Sequence, residues 1–251
     1  CAAGAIPDGH VDGRPVQEVQ AKDIIGRDIC HFFAGAGVWS YALEQSGWPR
    51  SGLTTWTASL PCQPFSQAGK RGGFGDERHL WPIFSKLVEL GKPQVILGEQ
   101  VASRNGLAWL DAVFDDLEDA GYACAAADTP AAGYGAPQKR QRLYWLAARV
   151  GDTEEIQRQL QRVGRQESIR WEVQAGDGSP PHPAGRTTGF WSDALWIQCL
   201  DGSSRAVGPG LRTLAHRAPG AVELLRAYGN ALNAEAAIGF AIAAREARQP
   251  P

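Results

Sequence analysis

The sequence predicts an α/β fold built on a shortened, mostly parallel sheet, with a small irregular region attached. Three observations predict it. Apolar strand-like runs alternate with amphipathic helical patterns from residue 28 to residue 149, as in a parallel sheet covered on both faces. The first run, DICHFF at 28–33, leads directly into a small-residue turn, Ala34-Gly35-Ala36-Gly37, and then a helical pattern. A later apolar run ends at a carboxylate, Glu99, at the strand end where α/β folds hold their ligands.

Residues 1–27 are polar with scattered Gly and Pro, and an irregular arm is expected over most of them. The strand at 28–33 is a short apolar run. After the turn, Val38, Tyr41, Ala42 and Gln45 recur at helical spacing. Strand, glycine turn, helix is a layout that offers backbone N–H groups to a ligand, but small-residue turns also occur in α/β proteins without that role. Residues 47–58 read as a loop with a short strand at 54–58. The stretch 79–92 is amphipathic, with Leu80, Phe84, Leu87 and Val88 on one face. A strand over 94–97, a helix over 107–122 stopped at Gly121, and a strand after residue 122 follow. A Gly/Pro loop then leads to the cluster Gln138-Lys139-Arg140-Gln141-Arg142 and a strand at 143–148.

The composition changes near residue 150. Residues 151–210 are expected to form a small second region, with a polar stretch suited to a short helix, an aperiodic Pro/Gly segment at 172–189, and hairpin-like sequence at 190–210. Residues 211–251 are expected to return to the core, with a helix closing the pattern over 222–246. No internal repeat or low-complexity tract is found.

At 251 residues, with 43% hydrophobic and 21% charged residues, the chain is long enough to bury a real core. Its net charge of −2 gives no global signal for nucleic acid. The five cysteines (Cys1, Cys30, Cys62, Cys124, Cys199) include no CxxC pair, which argues against a zinc site or disulfide framework and for a reducing cytoplasm. No apolar run reaches 18 residues, so no membrane span is expected. The N-terminus lacks the charged start and apolar centre of a signal peptide. The chain contains no Met, and a trimmed start is the expectation.

The chemistry concentrates in residues 60–81, LPCQPFSQAGKRGGFGDERHLW. Cys62 is held between Pro61 and Gln63-Pro64, and proline stiffens its own φ and its predecessor's conformation. Four glycines and the cations Lys70, Arg71 and Arg78 follow, a composition suited to a loop closing over an anion. A lone cysteine is otherwise a small buried hydrophobe. Glu99 taken alone reads equally as an exposed strand-end carboxylate, and Arg140 with Arg142 as a solvated basic edge.

Taken together and in order, these residues resemble the DNA (cytosine-5)-methyltransferase family. HFFAGAG (31–37) is similar to its first motif, DLFAGxGG; PCQPFSQAG (61–69) to its catalytic motif; and GFGDERHLW (73–81) to the continuation. Glu99-Gln100-Val101 resembles ENV, residues 138–142 match QxRxR, and YGNAL (228–232) resembles the closing GN(A/S)V motif. The resemblance covers about 31–149 and 212–243. His31 stands where the family has Asp, Val38 where it has Gly, and Gln100 where it has Asn. Only 24 residues, 38–61, separate Gly37 from Cys62, where the family usually places two further strands carrying acids for the cofactor's ribose and adenine. Glu44, the acid in that link, falls within the predicted helix.

The resemblance implies a Rossmann-like S-adenosylmethionine-dependent methyltransferase acting on double-stranded DNA as a monomer, without metal, in a bacterial or phage setting. Cys62 would add to carbon-6 of a flipped-out cytosine, making carbon-5 nucleophilic. A free thiol has a pKa of about 8.5, so Cys62 would benefit from the cations of Arg140 or Arg142. Glu99, its pKa raised by burial, would donate to ring nitrogen 3. Arg142 would bind the carbonyl oxygen, and Arg140 a phosphate or Glu99. Phe33, Ala34, Gly35, Ala36, Gly37, Trp39, Pro61, Asn230 and Ala231 would surround S-adenosylmethionine. Gln63, Ser66, Lys70, Arg71, Arg78 and Gln138 would meet DNA, and 151–210 would read the target sequence. An RNA cytosine methyltransferase and an inactive DNA-binding homologue remain alternatives.

Overall fold

The structure is a computed structural model describing residues 6–61, 80–134, 136, 140–163, 195–198, 204–207 and 232–246. Its centre is a five-stranded sheet of β1 (Ile29–Phe32), β2 (Thr55–Ala58), β3 (Val95–Val101), β4 (Tyr122–Pro130) and β5 (Gln141–Arg149), in the order β1-β2-β3-β5-β4. β1, β2 and β3 pair in parallel, with Ile29 opposite Thr55 and Thr55 opposite Val95. β5 lies between β3 and β4 and is antiparallel to both. Four strands therefore share one direction and the fifth opposes them. The connection from Pro130 to Gln141 is too short for the helical crossover that parallel neighbours need, so the chain turns back as a hairpin.

Helices cover both faces: α1 (Ala21–Ile24), α2 (Val38–Gln45), α3 (Trp81–Gly91), α4 (Arg104–Asp119), α5 (Thr153–Val163) and α6 (Ala234–Glu246). On one face, Phe32, Trp56, Ile96 and Trp145 pack against Phe84 and Val88 of α3 and Trp109 and Val113 of α4. On the other, Val95, Leu97, Tyr144 and Ala148 meet Trp39 and Leu43 of α2, Ile156 of α5, and the Ala236, Ile238 and Ala241 side of α6. Helix α5 thus belongs to the body carrying the sheet, although the composition changes before it. A separate two-stranded antiparallel unit pairs β6 (Leu195–Gln198) with β7 (Ser204–Val207), the hairpin expected within 190–210.

Local signals set several boundaries. Helix α4 begins at Arg104, three residues before its apolar pattern, because the Ser103 hydroxyl accepts from the Gly106 N–H at 3.0 Å and caps it. It ends as expected, with Gly121 at φ 87°. Two glycines of the body are required by their neighbours. A Cβ on Gly98 would lie 2.0 Å from the Trp145 indole, and one on Gly91 2.4 Å from Trp56. Helix α6 is joined to α2 through buried Arg245, whose guanidinium donates to the Ser46 carbonyl at 2.7 Å, at the C-terminal end of α2. A cation suits that end of a helix.

Strand β1 is an edge of the main sheet, and among the described residues no strand lies outside it. The link from β1 to β2 is only α2 and a loop. The two further strands expected of the resembling family are missing from this part of the sheet, as the short 38–61 link implied.

Candidate active site

The ends of β1, β2 and β3 place three segments side by side. From β1 comes the glycine turn. Phe33 has φ 54°, a left-handed conformation uncommon for a residue with a Cβ; Gly35 and Gly37 follow at 53° and 78°. The Gly37 N–H donates to the Ala34 carbonyl at 2.8 Å. Gly35 and Ala36 are exposed. Gly37 begins α2 with no side-chain cap, which leaves the helix's first N–H groups available. Ile6, in the N-terminal arm, rests against this turn: a Cβ on Gly37 would be 3.3 Å from its Cδ1.

From β2 comes the arm Ser59-Leu60-Pro61 that leads to Cys62. Leu60 is buried, Ser59 half-buried and Pro61 exposed. Alternate residues of this segment, Thr55, Thr57 and Ser59, carry hydroxyls, and each is engaged from a different piece of chain. Trp48 Nε1 donates to Thr55 Oγ1 at 2.9 Å. His31 Nδ1 lies 2.8 Å from Thr57 Oγ1. Trp39 Nε1 donates to Ser59 Oγ at 3.0 Å. Burial lowers the His31 pKa to about 4, so the ring is neutral near pH 7.

From β3 comes Glu99. The sequence pattern puts it just past the strand, but β3 continues to Val101 because β5 extends the ladder, pairing Glu99 with Tyr144 and Val101 with Arg142. On the same face, Arg142 Nε reaches Glu99 Oε1 at 2.7 Å. The two side chains are only 22% and 14% exposed. Burial raises the Glu99 pKa, opposed by the charges of Arg142 and Arg140. Arg140 has φ 29°, and its pKa is lowered by burial and by Arg142. The charges of Arg140 and Glu99 act on each other, alongside the Arg142–Glu99 ion pair. Gln100, on the opposite face, is buried, and its Oε1 accepts from the Val101 N–H.

The structure therefore brings together Phe33, Ala34, Gly35, Ala36, Gly37, Pro61, Glu99, Arg140 and Arg142. Trp39 requires a correction. Its side chain is 1% exposed and packs edge-on to Tyr144, with ring centroids 6.1 Å apart, so no face of the indole is left for a cofactor. Cys62, Gln63, Ser66, Lys70, Arg71, Arg78, Gln138, Asn230 and Ala231 lie outside the described residues. The sequence reading missed Tyr144, which is fully buried opposite Glu99 and packed on Phe240 of α6. It also missed the β2 hydroxyls; their only trace is the period of two in Thr55, Thr57 and Ser59.

A sheet with one reversed strand, a glycine turn after β1 and a buried acid–arginine pair at the strand ends defines a Rossmann-like methyltransferase core. The chain belongs to the C-5 cytosine-specific DNA methylase family, whose model matches residues 49–180. That match includes Cys62, Glu99, Arg140 and Arg142. The chain is 32% identical to the Type II methyltransferase M.NlaX of Neisseria lactamica, with 61% of this chain and 48% of that protein covered. It is 29% identical to the Type II methyltransferase M.HhaI of Haemophilus parahaemolyticus, with 53% of this chain and 52% of that protein covered. The chain spans about half the length of these curated relatives. Among solved structures, the Entamoeba histolytica methyltransferase EhMeth aligns with 49% of this chain and 52% of its own, at 19% identity and a TM-score of 0.38. The S. pombe Dnmt2 methyltransferase aligns with 66% of this chain and 43% of its own, at 18% identity and a TM-score of 0.36.

Proposed function

We propose that this chain is a DNA (cytosine-5)-methyltransferase, transferring a methyl group from S-adenosylmethionine to carbon-5 of a flipped-out cytosine. The observation that carries this reading is the largely buried Glu99–Arg142 pair at the strand ends, beside the arm that leads to Cys62, in a chain of this family. Cytosine carbon-5 is too weak a nucleophile to take a methyl group directly. The Cys62 thiolate adds at carbon-6, and the ring electrons move towards nitrogen 3 and the carbonyl oxygen. Glu99, its pKa raised by burial, would donate to nitrogen 3 in its protonated form. Arg142 fixes the Glu99 carboxyl and stands ready for the carbonyl oxygen. Once carbon-5 has taken the methyl group from the sulfonium, loss of its proton and expulsion of Cys62 restore the aromatic ring.

The turn at 33–37 suits the methyl donor. Gly35 and Ala36 present no bulk, and the start of α2 is uncapped. S-adenosylmethionine, when bound, supplies an electrophilic methyl on a sulfonium. Phe33 to Gly37 would hold it from below, with Asn230 and Ala231 closing from the C-terminal segment. Glu44, the acid of the 38–61 link, lies in α2 and is paired with Arg50. The loop carrying Ser66, Lys70, Arg71 and Arg78, with Gln63 and Gln138, would meet the duplex. Residues 138–170 contain eight Lys/Arg against four Asp/Glu, a charge balance suited to phosphates. Residues 151–210 would contribute to reading the target, and the setting is the cytoplasm of a bacterium or a phage-infected cell.

Duplex DNA containing 5-fluorocytosine, incubated with the chain and labelled S-adenosylmethionine, tests this directly. Fluorine cannot leave carbon-5 as a proton does, so the adduct accumulates. A covalent DNA adduct that vanishes in Cys62→Ser supports the reading. An adduct with RNA alone identifies an RNA enzyme, and no adduct with either an inactive homologue.

A further inference from the structure

We infer that Trp39 and Ser59 form a positioning strut that sets the distance between the donor turn and the arm bearing Cys62; this rests on the methyl-transfer reading above. Trp39 is the second residue of α2, two positions beyond Gly37, so it moves with the turn. Ser59 lies three residues before Cys62, so it moves with the arm. The 3.0 Å bond from Trp39 Nε1 to Ser59 Oγ joins the two across an interval of twenty residues. The same indole packs edge-on to Tyr144, which pairs with Glu99 across the sheet. One buried side chain therefore joins the donor turn to the arm that leads to the nucleophile and packs on the strand that carries Arg142, next to the strand of the acid.

The edge position of β1 among the described strands gives this contact its weight. Among the described residues β1 is an edge strand paired with β2 alone, and its four-residue register ends at Phe32 opposite Ala58. Beyond that register the turn and the arm have left the ladder. Between them, among the described residues, runs the Trp39–Ser59 side-chain hydrogen bond. Methyl transfer needs its reacting atoms aligned at about 3–3.5 Å, and displacements near 1 Å can cost about a hundredfold in rate. A strut of this kind therefore acts on the rate of transfer more than on the affinity for either substrate.

The test compares wild type, Ser59→Ala, Ser59→Thr and Trp39→Phe. Single-turnover methylation is normalised to the sites that 5-fluorocytosine DNA traps, and is measured with the Kd for S-adenosylhomocysteine and for DNA and with the melting temperature. The indole N–H resonance of Trp39 reports the bond without reference to activity. Ser59→Ala and Trp39→Phe are expected to slow transfer per trapped site at least tenfold, with both Kd values within about threefold of wild type. Ser59→Thr, which keeps the hydroxyl, is expected to restore most of the rate and the solvent protection of the indole N–H. A purely structural role would lower the melting temperature and the trapped fraction but leave the rate per trapped site unchanged, which would overturn the assignment. A wild-type chain that transfers no methyl group would instead overturn the underlying reading, and this assignment with it.

Discussion

Glu99 and Arg142 meet across adjacent antiparallel strands, Oε1 to Nε at 2.7 Å, with both side chains largely withdrawn from water. Burial raises the carboxyl pKa and the arginine pulls it back. Burial and the guanidinium thus act on the carboxyl in opposite directions. Glu99→Ala is expected to lower methylation by about 10²–10⁴-fold, the usual contribution of a positioned acid, with a much smaller change in DNA affinity. Single-turnover rates and DNA titrations check this, and equal losses in both would remove Glu99 from the chemistry.

Arg142→Ala has a consequence for stability that can be measured separately. It leaves Glu99 buried without its guanidinium, so the carboxyl pKa rises further. A carboxyl whose folded pKa lies above its unfolded value contributes stability that is present below the unfolded pKa and lost as pH rises through the folded one. The destabilisation by Arg142→Ala is therefore expected to grow from weakly acid to neutral pH, reaching about 3 kcal/mol, the scale for breaking a buried pair. Urea unfolding across that range, with Glu99→Gln restoring stability in the same background, tests the coupling.

His31 gives the opposite dependence. Its folded pKa is about 4, below the ordinary 6.5, because burial disfavours the imidazolium. The unfolded chain takes up the proton first as pH falls, so the contribution of the neutral ring is present above about pH 6.5 and lost progressively towards pH 4. A shift of this size amounts to about 3 kcal/mol over the window. Comparing wild type with His31→Leu at pH 7 and pH 4.5 should show the variant losing less stability on acidification. Identical losses would place the acid sensitivity elsewhere.

Much of the body can be read in the sequence because the patterns are local. The alternation of strand and helix, the stop at Gly121 and the hairpin within 190–210 all follow from periodicity and turn residues. The reversal of β5 cannot be read that way. It depends on the Pro130–Gln141 connection turning back, and LYWLAA has the same composition in either direction. The extension of β3 past Leu97 likewise depends on the partner strand, since Glu99 is held in the ladder by pairing with Tyr144. Trp39 shows the same limit from the other side. Its position just after a glycine turn suggests a ligand contact, whereas packing on Tyr144 makes it core.

Gly98 is where packing meets the site. Its absent side chain makes room for the Trp145 indole, which a Cβ would approach to 2.0 Å. The ring is fully buried and cannot swing away cheaply. Gly98→Ala is expected to cost about 1–3 kcal/mol, as overpacked cores do, and to disturb the adjacent Glu99. Chemical denaturation measures the first effect. A lowered transfer rate per trapped site measures the second.

Gly37→Ala separates two demands on the donor turn. Its φ of 78° is a conformation that a Cβ strains, and that Cβ would also press on Ile6 Cδ1 at 3.3 Å. The strain belongs to the backbone, at about 1–2 kcal/mol for the left-handed region, whereas the Ile6 contact can relax because it involves the end of a flexible side chain. In the free chain the variant's turn relaxes out of this φ and must return to it on binding, so Gly37→Ala is expected to weaken S-adenosylhomocysteine binding about tenfold or more. Adding Ile6→Ala should recover little of that loss. If the double variant instead binds like wild type, the obstruction is Ile6 itself, and the N-terminal arm rather than the glycine backbone limits access to the turn. Isothermal titration of the two single variants and the double variant distinguishes these outcomes.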